Sequence, residues 1–213
     1  MSRSIPRAVA GAAALFTAAL AIVPTAARAQ ATPAAPPAAG ASTGAATAPA
    51  SPTAALRAEV AAQLADAERK FVALAEATPA DKYAWRPAPG VRSTGEVFMH
   101  MVGGNYGIPR MAGAAPAAGV DLPRDAERSI TDKAGIVELL KSSFAYARQA
   151  VERAPEGELA QPVSLFGRPA TRGAVLVLMA THAHEHLGQS IAYARMNGIV
   201  PPWSQGGRAA GGS

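Results

Sequence analysis

Proline sets the limits on what this chain can fold into. Its 213 residues hold 18 prolines, and a proline inside a helix removes a backbone hydrogen bond and clashes with the preceding turn, costing about 3 kcal/mol. Long helices therefore have to fit between the prolines. Four stretches do: 54–77, 93–111, 131–154 and 171–197, with Pro109 the one interruption, close to the end of the second. Each repeats its apolar residues at helical spacing. The first carries Leu56, Val60, Leu64, Phe71 and Leu74, and the second Val97, Phe98, Met101 and Ile108. The third carries Ile136, Leu139, Leu140, Phe144 and Val151, and the fourth Val175, Leu178, Met179, Tyr193 and Met196. No segment sustains period-two alternation, so strands are not expected. The reading is an all-α, antiparallel four-helix bundle.

The ends of these stretches carry their own signals. Thr78-Pro79 closes the first, and Asp66 and Lys70 form an i,i+4 pair on its outer side. Ser93-Thr94-Gly95-Glu96 reads as a capping box opening the second. Thr131 is the expected N-cap of the third and Thr171 of the fourth. Pro155 stops the third, and Gly198 followed by Pro201-Pro202 stops the fourth. Residues 112–128 and 155–170 remain as loops, the former long by helix-bundle standards.

The regions outside 54–204 read differently. Residues 1–29 combine Arg3 and Arg7, an apolar run from Ala8 to Val23, and Ala27-Arg28-Ala29. That is a secretory signal peptide with cleavage expected after Ala29, which predicts a secreted or periplasmic protein with no stable membrane insertion afterwards. Residues 30–53 are almost entirely Ala, Pro, Thr, Ser and Gly, the composition of a disordered linker. Residues 205–213 read as a flexible tail. Without Arg3, Arg7 and Arg28 the net charge of +5 falls to +2. The remaining basic residues are scattered, so a nucleic-acid partner is not expected. The chain has no cysteine, which excludes a thiolate nucleophile and thiolate metal ligands and leaves His, carboxylate and water.

Three of the four histidines stand in Thr181-His182-Ala183-His184-Glu185-His186-Leu187-Gly188-Gln189. Residues four apart lie one above the other on a helix, so His182 and His186 can share one metal ion. They fall on the side of the fourth helix that carries its large apolar residues. His184 is turned by about 200° from His182 and reads as a surface residue. The remaining histidine, His100, lies 82 residues before His182 on the second helix and offers a third inward nitrogen. Glu96, one turn before His100, can be a ligand or simply the partner in the capping box. Glu185 adjoins the pair, either as a general base or as a solvated residue; the spacing is not His-Glu-x-x-His, so a zincin mechanism is not supported. Gly103, Gly104 and Gly107 follow His100 at three, four and seven residues. Each interior glycine costs about 1 kcal/mol relative to alanine. They mark either a substrate pocket beside His100 or a close approach of two helices.

These residues carry a family resemblance. Trp85-Arg86-Pro87, Arg92-Ser93-Thr94-Gly95-Glu96-Val97-Phe98-Met99-His100, His182-x3-His186-Leu187-Gly188-Gln189 and Tyr193 through Pro202 together resemble the DinB-like superfamily (DinB/YfiT-like), here as an exported member. The resemblance spans about 54–204. It implies a four-helix bundle holding a divalent metal, Zn or Ni, on His100, His182 and His186, with water completing the shell. It also implies a homodimer. Where many members have a histidine directly before the last ligand, this chain has Glu185. Thiol-dependent S-transfer, known among cytoplasmic members, carries over poorly to an exported protein.

Three functions follow as expectations. Three neutral imidazoles with an open water position suit a metal-dependent hydrolase or transferase acting on a small-molecule substrate. A site closed by a fourth protein ligand would instead make a non-catalytic periplasmic metal-binding or sensing module. Histidines without metal would leave only a structural bundle.

Overall fold

A computed structural model describes residues 51–205. The expected signal peptide, the expected linker up to residue 50 and the tail beyond residue 205 lie outside them. Five α-helices are present among the described residues: α1 (Pro52–Ala77), α2 (Thr94–Met111), a single turn α3 (Ala126–Ser129), α4 (Lys133–Arg153) and α5 (Arg172–Met196). The four long ones form the bundle. None of these helices is long and apolar enough to cross a membrane.

Caps set most of the boundaries. α1 begins two residues earlier than expected. Ser51 accepts from the Ala54 amide and Pro52 occupies the first turn, where a missing N–H leaves nothing unsatisfied. α2 starts at the capping box: Ser93 Oγ accepts from the Glu96 amide at 3.3 Å and Glu96 accepts from the Ser93 amide at 2.6 Å. Pro109 stays inside α2, within its last turn. α4 is capped by Asp132 instead of Thr131; its carboxylate accepts from the Gly135 amide at 2.7 Å. A carboxylate at that position also gains from the helix dipole. Thr171 caps α5, and Gly198 follows it with φ 73°.

The expectation of no strands fails: residues 162–171 form a two-stranded antiparallel hairpin, β1 (Pro162–Leu165) and β2 (Arg168–Thr171), with Pro162 opposite Thr171 and Leu165 opposite Arg168. Four-residue strands are too short for alternation to stand out. Prolines are tolerated because both strands of such a hairpin are edges. The two turn residues, Phe166 and Gly167, both have positive φ, 50° and 78°.

α1 lies against α4 and α5, and α2 against the same two helices, so α1 and α2 occupy opposite corners. Phe71, Phe98 and Phe144, from α1, α2 and α4, are fully buried. Phe71 meets the other two rings at centroid distances of 6.4 and 5.7 Å. α1 and α4 are antiparallel, with Arg57 bonded to the Glu152 carbonyl near one end and Glu76 paired with Lys141 towards the other. α2 and α5 are antiparallel as well, with Gly104 against His182 and His100 against both His182 and His186. α2 and α4 run the same way, since Gly95 lies near Ile136 and Asn105 bonds Ser143. Two parallel helices cannot be joined by a tight turn. The connection from 112 to 132 is long because it climbs back along the bundle, and it carries α3 up against α2.

Candidate metal centre

α2 and α5 are neighbours, and their contact brings His100, His182 and His186 together. One nitrogen from each lies within 4.8 Å of the others. Ring centroids are 5.3 Å apart for His100 and His182, and 4.6 Å for each of the other two pairs. His182 Nε2 stands 3.4 Å from His100 Nε2. Two nitrogens bound at about 2.05 Å to one tetrahedral ion are about 3.3 Å apart. The pair already has the spacing of two ligands of one ion.

The outer nitrogens decide which inner ones are free. His100 Nδ1 lies 3.1 Å from Glu127 Oε2, and an ionised carboxylate only accepts, so Nδ1 carries the proton and Nε2 keeps its lone pair. His186 Nδ1 lies 2.9 Å from Gln189 Oε1 and donates in the same way. The Gln189 amide nitrogen then donates to Tyr193 Oη at 3.1 Å, and Tyr193 meets Trp85 edge-on. His182 Nδ1 is buried without a partner. Its ring is held instead by shape, because a Cβ at Gly104 would stand 2.5 Å from His182 Cε1.

Burial favours the neutral forms of His100 and His182, the form in which an imidazole can bind a metal. Burial, aided by the neighbouring His186, His100 and Arg92 charges, pushes His182 down to about 4. Burial and Arg92 also hold His100 below its ordinary value, with Glu127 partly opposing them. Burial pushes the Glu127 carboxyl up, but bonds from Arg92 and His100 outweigh it and leave it below the usual range.

The other candidates fall into place around this group. Glu96 gives one oxygen to the Ser93 amide and the other to Arg86, so its carboxylate serves α2 and not the imidazoles. Gly104 is where the two helices approach closely; at Gly103 and Gly107 a Cβ would meet open space. Glu185 is exposed and stands outside the three-histidine group. His184 is not the surface residue expected: α1 covers that side of α5, leaving it half-buried with Nε2 buried and unpartnered. The three site histidines are themselves only half-buried. The fully buried stripe of α5 runs instead through Leu176, Met179, Ala183 and Leu187. Met196, expected on the inner side, is 63 % exposed. The imidazoles thus line the flank of the core, open to solvent on one side.

Sequence reasoning missed Glu127. No spacing rule links the α3 carboxylate to a histidine 27 residues earlier; only the returning connection brings them together. The role of Gln189 was missed as well, although i and i+3 share a helix face.

No curated protein matches the chain. Among solved structures it is similar to a DinB-like protein from Bacillus cereus ATCC 10987, with 18% identity over 64% of this chain and 89% of that one, and a TM-score of 0.56. It is also similar to a DinB-like protein from Bacillus subtilis, with 19% identity over 67% and 93% of the respective chains and a TM-score of 0.52. At such identity these likenesses speak for the fold. The family model described as the DinB superfamily matches residues 63–190, which takes in all three site histidines, and the chain belongs to that superfamily.

Proposed function

We propose that the protein is a divalent-metal-dependent enzyme of hydrolase or transferase type, with His100, His182 and His186 as the metal ligands. The observation that carries this reading is the Nε2 pair of His100 and His182 at 3.4 Å, on imidazoles whose outer nitrogens are bonded or buried. A bound ion would act as a Lewis acid, lowering the pKa of a water or polarising a substrate oxygen. The chain's own residues prepare for that. Glu127 fixes the tautomer and orientation of His100, and Gln189 does the same for His186. Burial keeps His182 unprotonated at neutral pH. Gly104 lets the His182 ring stand where a side chain would displace it. The half-buried setting leaves one side of the group accessible to a small molecule.

An open site is favoured over a closed sensing site because Glu96, the fourth ligand that a closed site called for, is committed to Ser93 and Arg86. Zn or Ni is the proposed metal on the strength of the family and the all-nitrogen donor set. Export and the absence of a nucleic-acid partner belong to the same proposal and rest on the sequence, and a homodimer rests on the family resemblance alone. The test is turnover of a panel of esters, amides, epoxides and thiol-transfer substrates by the metal-loaded full chain. Activity lost on chelation and restored by Zn or Ni is expected. A loaded protein that turns over none of them sinks the enzymatic reading.

A further inference from the structure

Arg92 is placed oddly for a residue that only neutralises Glu127. Its Nε donates to Glu127 Oε1 at 2.5 Å, and the other oxygen of that carboxylate binds His100 Nδ1. One carboxylate therefore separates a guanidinium from a metal-site imidazole. A permanent cation so close to an intended dication opposes metal binding unless something negative joins them. Arg86, on the same loop, is used up: Nη1 donates to the Val91 carbonyl and Nη2 to Glu96. Arg92 uses Nε alone. Among the described residues its two Nη groups have no partner, and its side chain is 42% exposed. Held by Nε, it presents a free two-pronged donor edge of the kind that matches an oxyanion bidentately.

We propose that Arg92 anchors an oxyanion, a carboxylate or a phosphate, on the substrate, on the Glu127 side of His100. This rests on the metal-site reading and narrows it to anionic substrates. Glu127 then acts as a positioning residue twice over, aligning His100 towards the metal and Arg92 towards the substrate. The charges suit this arrangement: Glu127 is shared by a cation and an imidazole, so one carboxylate does not balance both a guanidinium and a metal ion. An anionic substrate supplies the difference.

The test uses the full chain loaded with Co(II), whose visible spectrum reports its ligands. Sodium acetate and inorganic phosphate are titrated against the neutral acetamide, in wild type, R92Q and R92K. Acetate or phosphate is expected to bind at least about tenfold more tightly than acetamide in the wild type, the size of a charge-assisted hydrogen bond. R92Q should lose about tenfold in anion affinity while holding Co(II) as tightly as wild type or more so. R92K keeps the charge without the fork and should lie between them. Anion affinity unchanged in Co(II)-loaded R92Q overturns the proposal. Should R92Q not fold, anion affinity in R92K equal to wild type overturns it. Wild type that takes up no Co(II) has a different signature and overturns the metal-site reading itself, together with this inference.

Discussion

Gly104 is where the two histidine-bearing helices, α2 and α5, approach closely. A methyl group there would stand 2.5 Å from the His182 ring and 3.1 Å from its Nδ1, so Gly104→Ala must turn that imidazole away from the other two. Metal affinity measured by competition with a chromophoric chelator should fall by about tenfold or more, the scale seen when a ligand loses its support. Gly103→Ala and Gly107→Ala meet open space and should leave that affinity unchanged, while each adds up to about 1 kcal/mol to stability. Equal losses in all three variants would remove the special role of Gly104. The glycines show how far residue-scale reading goes. Their spacing after His100 was plain, but which of them touches the partner helix depends on the rotation of α5, and no spacing encodes that. His182 and His186 were legible because the i,i+4 relation is local. Glu127 was not, because its contact with His100 depends on the path of a loop.

Among the elements, the hairpin is the least regular. Its turn places Phe166 at φ 50° with 69% of its surface exposed, a conformation that disfavours side chains branched or bulky near the backbone and favours Asn or Gly. Phe166→Asn creates the preferred Asn-Gly pair and should stabilise the protein by about 1 kcal/mol in chemical denaturation. A destabilised variant would mean that the exposed ring makes contacts that outweigh the strain. The hairpin escaped sequence reading for the same reason: Phe-Gly is not the pair that announces a two-residue turn, and each strand has four residues. The long helices were legible because proline spacing and capping residues act within a few positions. Ser93 and Glu96 cap α2 reciprocally, as the sequence implied, and Asp132 displaced Thr131 by one residue.

At the scale of the whole molecule, topology does most to build the site. The antiparallel packing expected from the sequence holds for α1 with α4 and for α2 with α5, but α2 and α4 run the same way, and the connection between them must return past His100. That return brings Glu127 to His100, where it also meets Arg92 from the loop before α2. The same group makes stability depend on pH. His182 has a folded value near 4 against an ordinary 6.5, and His100 moves in the same direction. Between those values the unfolded chain binds protons that the folded chain does not. Stability of the metal-free protein is therefore complete above about pH 6.5 and falls as pH drops towards 4. Urea midpoints at pH 7 and pH 4.5 should diverge more for wild type than for His182→Gln, and an equal divergence would contradict the neutral, half-buried imidazole.

The central claim is that the three histidines hold a metal, and elemental analysis of the protein tests it most directly. The full chain, purified without a polyhistidine tag or chelators, should contain about one equivalent of a divalent transition metal per chain. His100→Ala and the His182→Ala, His186→Ala pair should lose it while keeping their helical content. A natively purified chain with no stoichiometric metal, which also fails to take up Zn or Ni on dialysis, would contradict the account.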